Sequence, residues 1–282
     1  MDISHLQSWI GRKEEVRERV PAFPATALAA TMDREGVQFS EGDRIPPLCH
    51  WLHFLSACRQ SEVGPDGHPK RGGFLPPVPL PRRMWAGSAI QFLAPITVGG
   101  VCTRISTIDS VELKSGRSGE LVFVGVNHRI HDGDTVCLEE RQDLVYREPP
   151  KPGAPAPAVK MAPDDADFSR TVIPDPVLLM RYTALTFNGH RIHYDRDYAV
   201  GTEGYSGLVV HGPLLATLLV DLLTSEVANA ELASFEIRAA APIFDTERFS
   251  IHGRCEPDGV TFTLWVRRPD GAQALTATAI IA

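Results

Sequence analysis

Leucines fall in pairs along one stretch of the chain: Leu214, Leu215, Leu218, Leu219, Leu222 and Leu223 recur at helical spacing, and Ala216 and Val220 widen the apolar surface. This predicts a helix from Pro213 to about Val227 that is apolar nearly all round and must be covered on most sides. Downstream the period shortens to two. Residues 233–242, 247–256, 259–268 and 273–282 read as consecutive strands, with "PIFDTE", "EPDG" and "RPDGAQ" at the joints. A curled antiparallel sheet around the helix is the natural cover. The first half repeats the plan more faintly. "PPLCHWLHFLSAC" at 46–58 predicts its matching helix, and strands from about 86 to 146 follow. A doubly wound parallel sheet needs helices between its strands, and the pattern offers none there.

The two halves also resemble each other in sequence. "IQFLAPI" at 90–96 lines up with "IRAAAPI" at 237–243, and "LVFVGVNHRIHDG" at 121–133 with "VTFTLWVRRPDG" at 260–271. Phe123 then matches Phe262, and the Asp132-Gly133 turn matches Asp270-Gly271. Between the halves, residues 149–163 read "PPKPGAPAPAVKMAP", a composition that favours an extended, semi-rigid connector. The expected fold is α+β, a double hot-dog in which two antiparallel sheets each wrap a long helix as a tandem repeat. Its parts are a degenerate N-terminal domain at 1–148, a linker at 149–163 and a catalytic domain at 164–282.

Composition narrows the classes. The formal net charge of −7 and the lack of a Lys/Arg block argue against a nucleic-acid partner. Five scattered cysteines without a CxxC pair argue against a disulfide framework or a zinc knuckle. No signal peptide is evident, and the apolar runs are too short to span a bilayer, so the expectation is a cytoplasmic protein with no membrane partner. HxxH occurs at His50/His53, His128/His131 and His190/His193, but no companion cysteine or HExxH pattern supports a metal, and none is expected.

The densest chemistry is "LTFNGHRIHYD" at 185–195, directly after a predicted helix over 175–186 with Asp175 as N-cap and Pro176 in its first turn. An imidazole here can both take and return a proton near neutrality. The helix that starts near Pro213 leaves its first N–H groups unpaired, and its dipole favours negative charge there. Pro213 has no N–H, so the Gly212 amide is the natural donor to a developing oxyanion.

"TFNGHRIHYD", followed at similar spacing by "VVHGPLLATLL" at 209–219, resembles the signature of the MaoC-like hydratase/dehydratase family. The form "FNxHRIHYD" is similar to the branch that holds the type 2 hydroxyacyl-thioester dehydratases and the mesaconyl-C4-CoA and itaconyl-CoA hydratases. "LPRRMWAG" at 80–87 and "SWIGR" at 8–12 resemble the N-terminal half of two-domain members of that group. The resemblance implies addition of water to an enoyl-CoA thioester, or its removal, a step that needs a base for water, an acid for the α-carbon and a donor for an enolate oxygen. It implies His193 as the catalytic histidine and the Gly212 amide as the thioester donor. Asn188 stands where the family has Asp, and an amide can orient water but cannot accept a proton. His190 stands where the family has Asn and can share the proton work. His211 packs or hydrogen-bonds at the helix start, and Asp195 caps the next segment.

Substrate contacts are expected from Arg191, Arg181, Arg82, Arg83, Trp85 and His211, the arginines serving CoA phosphates or an acyl carboxylate. The implied substrate is a short, branched dicarboxylic enoyl-CoA such as mesaconyl-C4-CoA or itaconyl-CoA, with CoA entering as part of the substrate and no separate cofactor. Hot-dog sheets pair at their edges, so a homodimer or larger homo-oligomer is expected. Two alternatives stay open: a 3-hydroxyacyl-ACP dehydratase of fatty-acid synthesis, and a non-catalytic hot-dog subunit supporting an active partner.

Overall fold

The structure is a computed structural model that describes residues 1–116, 119–149 and 159–282. Most of the linker expected at 149–163 therefore lies outside the described residues.

The strands are β1 (Lys13–Arg19), β2 (Arg82–Phe92), β3 (Val101–Gly116), β4 (Gly119–Asp132), β5 (Thr135–Arg147), β6 (Phe168–Val172), β7 (Leu232–Ala239), β8 (Phe249–Cys255), β9 (Thr261–Arg267) and β10 (Gln273–Ile281). They form one 10-stranded sheet in the order β1-β3-β4-β5-β2-β7-β10-β9-β8-β6. Every neighbouring pair is antiparallel. Read outward from the β2–β7 seam, the two halves carry the same strand plan. The seam itself is nearly self-symmetric. Ala89 pairs with Glu236 at its centre, Ser88↔Ile237 and Ile90↔Phe235 flank it, and Gly87↔Arg238 and Gln91↔Ser234 lie one step further out. Ile90 and Ile237, aligned in the sequence repeat, thus occupy matching places about a pseudo-two-fold axis.

The helices are α1 (Ile3–Gln7), α2 (Ala22–Thr31), α3 (Pro176–Leu185) and α4 (Gly212–Glu226). α2 follows edge strand β1, α3 follows edge strand β6, and the two helices lie against each other. α4 is the long central helix that the leucine pattern requires. It packs on β6, β8, β9 and β10, and all six of its leucines are buried. Each such leucine contributes about 1.5–3 kcal/mol by leaving water. Its mid-helix acid, Asp221, is taken by Arg34 at 2.7 Å and Arg170 at 2.8 Å.

The matching helix expected at 46–58 does not form. Only Cys49–Leu52 makes a single 3-10 turn. Leu48 and Phe54 on either side adopt left-handed backbone, with φ 66° and 56°, which no helix interior tolerates. The polar groups of the segment explain the choice. His50 and Trp51 bond Glu140 of β5, while His53 and the Phe54 amide bond Glu18 of β1. Glu140 is 4 % exposed and also accepts from Ser88 Oγ at 2.6 Å. Burial alone would raise its pKa, but the hydrogen bonds and charge of the neighbouring imidazoles hold it at about 2. The first half therefore organises its interior around a buried carboxylate where the second uses an apolar helix. No helix among the described residues is long and apolar enough to cross a membrane.

Candidate active site

The site is built on the C-terminal end of α3. Asp175 caps its start, its side chain accepting from the Leu178 amide at 2.8 Å. The helix stops in a Schellman arrangement: Phe187 takes φ 48°, its amide bonds Ala184 O at 3.3 Å, and the Asn188 amide bonds Thr183 O at 3.0 Å. Phe187 is exposed, so the turn gains nothing from burying its ring. What the turn does is throw residues 188–193 back across the helix end.

Asn188 then folds the loop on itself, its Oδ1 accepting from the His190 amide at 3.0 Å. This leaves its NH2 group as the natural hand for a water. Arg191–His193 forms a 3-10 turn that buries Ile192 and His193. Arg191 points its guanidinium to Asp195, at 2.8–2.9 Å, and to Pro65 O at 3.0 Å, with the Tyr198 ring 4.2 Å beneath it. The expected substrate arginine is thus engaged in holding the loop, and Asp195 serves it and the Tyr198 amide.

His193 Nδ1 meets Val209 O at 2.7 Å. A carbonyl only accepts, so Nδ1 carries the proton and Nε2 is left with the lone pair of a base. Burial pushes this imidazole down to about 4, against a smaller raising effect of the Val209 bond. Its ring stacks on His211 with centroids 3.7 Å apart and planes 18° apart. His211 is the N-cap of α4, bonds Thr183 Oγ1 through Nε2 at 2.9 Å, and is held far below the usual histidine range by burial. His193 therefore lies one stacked ring from the start of α4, whose N-terminus has no side-chain cap. The Gly212 amide is the exposed positive end of that dipole. Gly212 is glycine for a packing reason as well: a Cβ there would sit 2.6 Å from Cε3 of Trp85. Trp85 comes from β2 of the first half, with Trp51 edge-on at 6.2 Å and its Nε1 bonded to Ser88 Oγ at 3.3 Å.

The other expected arginines separate. Arg82 pairs with Glu203 at 2.7 Å over the Tyr205 ring. Arg181 is exposed on α3 and Arg83 is half-buried on β2, and neither has an ion-pair partner among the described residues. The charge of Arg83 bears on two site histidines, His68 and His190.

His68 and its neighbour Asp66 are the site residues that the sequence reading missed. Both come from the first-half loop that follows Phe54. His68 Nδ1 meets Asp66 Oδ2 at 3.0 Å, and its ring lies 4.1 Å from that of His190. His190 stands edge-on to His193 at 5.4 Å. Burial, followed by the nearby His68 and His193, pushes His190 down to about 2. One donor atom each of Asp66, His68 and His190 lies within 4.8 Å of the others, the set among the described residues that could share a cation. The His68–Asp66 contact already has the geometry of a carboxylate–imidazole hydrogen bond, and the trio reads as that pair with a second ring beside it.

The profile of the family hydroxyacyl-thioester dehydratase type 2 matches residues 48–245. A mesaconyl-C(4)-CoA hydratase of Chloroflexus aurantiacus is 46% identical over 281 residues, covering 99% of this chain and 98% of that protein. A mitochondrial hydroxyacyl-thioester dehydratase type 2 of Schizosaccharomyces pombe is 25% identical over 79% of this chain and 81% of its own. In structure, a MaoC-like dehydratase from Phytophthora capsici superposes with a TM-score of 0.74 at 15% identity, covering 100% of this chain and 98% of that one.

Proposed function

Since the chain belongs to the hydroxyacyl-thioester dehydratase type 2 family and is a hydratase/dehydratase of acyl thioesters, we propose that it adds water to a short, branched dicarboxylic enoyl-CoA such as mesaconyl-C4-CoA or itaconyl-CoA, or removes it. The observation that carries the reading is the pairing of an oriented imidazole, His193, with the uncapped start of α4 at Gly212, one stacked ring away.

The Gly212 amide donates to the thioester oxygen, where negative charge develops as the β-carbon is attacked. His193 Nε2 accepts a hydrogen bond from the attacking water and aims its oxygen at the β-carbon. The Asn188 NH2 group and His190 position that water. Burial favours this division, because it keeps His190, His193 and His211 neutral at physiological pH and able to accept. Arg83 and Arg181, without ion-pair partners among the described residues, serve the distal carboxylate and the CoA phosphates. Trp85 shapes the acyl slot, and His211 supports His193 from behind. The reaction draws on no redox group or metal in this reading, and CoA enters with the substrate.

On the same reading, residues 1–148 are a degenerate copy that lost the loop and helix of the site, and 164–282 are the catalytic copy. The enzyme works in the cytoplasm as a homodimer or larger homo-oligomer of such double units. Asp221, the mid-helix acid of α4, is committed to two arginines, and Glu226 lies in the last turn away from the helix start, which disfavours thioester hydrolysis by a helix carboxylate.

The test is a panel of enoyl-CoAs given to the purified protein, with loss of the conjugated double bond as readout. Mesaconyl-C4-CoA or itaconyl-CoA should be consumed fastest. Turnover of carrier-protein thioesters but not of CoA esters would move the assignment to a fatty-acid dehydratase, and no turnover at all to a supporting subunit.

A further inference from the structure

The loop that carries Asp66 and His68 replaces what would be the central helix of the first half, and it is fastened to the site. The Arg191 amide bonds Asp66 O at 2.9 Å, and Arg191 Nη1 bonds Pro65 O at 3.0 Å. Gly67 has φ +90°, and a Cβ on it would lie 1.8 Å from Gly189 O, so the two backbones touch where any side chain would part them. The turn is closed from within by Gly64 N to His68 O at 2.7 Å and His68 N to Asp66 Oδ1 at 3.0 Å. A surface loop with no role at the site has no need of this registry.

The chemistry of the pair is directional. Asp66 accepts from His68 Nδ1–H, so Nε2 of His68 holds the lone pair and its ring faces His190. When His68 takes a proton, a full carboxylate charge sits against the imidazolium. His193 has only a carbonyl dipole behind it. The site loop itself offers no alternative carboxylate: Asn188 is an amide, and Asp195 is committed to Arg191 and the Tyr198 amide.

Resting on the hydratase reading above, we propose that His68, oriented by Asp66, is a second catalytic group of the site, supplied by the first half: it carries the proton exchanged with water while His193 holds and aims that water. In hydration, the water oxygen bonds to the β-carbon while one water proton passes to His68 Nε2. The carbon–carbon π pair moves onto the thioester oxygen as an enolate held by the Gly212 amide. The enolate then collapses, the α-carbon takes the proton from His68, and His68 returns to neutral. His193 Nε2 accepts a hydrogen bond from the remaining O–H and aims the attacking oxygen. Water is added and nothing is oxidised or reduced. His68 is the catalytic residue of the pair and Asp66 its positioning residue.

Asp66→Asn and His68→Gln in the full chain test this, assayed with the best enoyl-CoA of the panel beside the wild type and His193→Ala. His68→Gln should lower kcat roughly 10²-fold, and Asp66→Asn about 10-fold or more with KM little changed. The pH profile separates chemistry from packing. The groups facing His68 are Asp66, Arg83, Arg71, His190 and His193, and of these only Asp66 favours its cation. Asp66→Asn should therefore move the acid limb of kcat/KM to lower pH, which a loss of mere loop structure would not do. His68→Gln combined with Asn188→Asp should regain part of the lost rate. The proposal is overturned if both single variants keep kcat within about twofold and the acid limb unmoved while His193→Ala is inactive; the hydratase reading then stands without it. It is also overturned if the wild type binds one equivalent of Zn²⁺ that activity requires and Asp66→Asn abolishes, since the trio is then a metal site. Should His68→Gln fail to fold, the near-isosteric Asp66→Asn carries the test. A wild type inert toward every enoyl thioester sinks the hydratase reading itself.

Discussion

The two halves share a strand plan and differ in what fills it. In the second, β6, β8, β9 and β10 close on α4, whose leucines make a dry core and whose N-terminus is left open beside His193. In the first, the helix is gone. A 3-10 turn brings His50 and Trp51 onto Glu140, and the chain released by the lost helix crosses to the other half with Asp66 and His68. The two interiors are still joined: Glu140 bonds Ser88, Ser88 bonds Trp85, and Trp85 packs on Gly212. The second half thus keeps a helix start beside His193, while the first fills the matching space with hydrogen-bonded polar groups.

The sharpest way to break the comparison is to remove the buried charge. Glu140→Ala should cost about 3–5 kcal/mol, because it strands His50, Trp51 and Ser88 without their acceptor. Chemical denaturation reads this directly. Leu219→Ala, in the fully buried middle of α4, should cost about 2–5 kcal/mol through its cavity, with no polar group stranded. Near-equal losses would show that two unlike fillings stabilise the shared sheet to a similar degree.

Acid distinguishes the halves by pH window. The site imidazoles His68, His190, His193 and His211 all have folded pKa values below the ordinary 6.5. The unfolded chain therefore binds more protons below about pH 6.5, and stability falls as pH drops from there toward His193's value of about 4. The loss should approach about 1.4 kcal/mol per pH unit for each such ring. In the first half away from the site, burial pushes His128 down to about 4. Glu140, lowered to about 2 from 4.5, releases its stabilisation only below pH 4.5. Hydrogen exchange at pH 5.5 should accordingly open residues 188–212 before β4 and β5. Smallest of all, Asp175→Ala removes the α3 cap and should cost about 1 kcal/mol by thermal melting, with a modest loss of rate as the site loop loosens.

Legibility in the sequence follows the same divide. α4 and strands β7–β10 were readable because one helical period and one strand period follow each other without interruption, and Asp175-Pro176 marks the start of α3 unambiguously. The loop at 185–195 was readable because its chemistry is contiguous. The run at 46–58 misled because its apolar residues suit a helix, while the acceptors that decide its shape, Glu18 and Glu140, lie on distant strands. β1, "KEEVRER", shows no apolar alternation because it is an edge strand, and its charges guard an open edge. Asp66 and His68 reach the site only through tertiary pairing with Arg191 and Gly189. Their one local sign is "GPDGH", an Asp-Gly turn ending in a histidine.

The central claim is that water is added at a site centred on His193 of the second half. The rate of mesaconyl-C4-CoA hydration by His193→Ala tests it most directly, measured on folded protein beside His50→Ala, a buried histidine of the first half away from the site. His193→Ala should fall about 10²–10⁴-fold while His50→Ala stays near the wild-type rate per folded molecule. Near-normal turnover by His193→Ala would contradict the account.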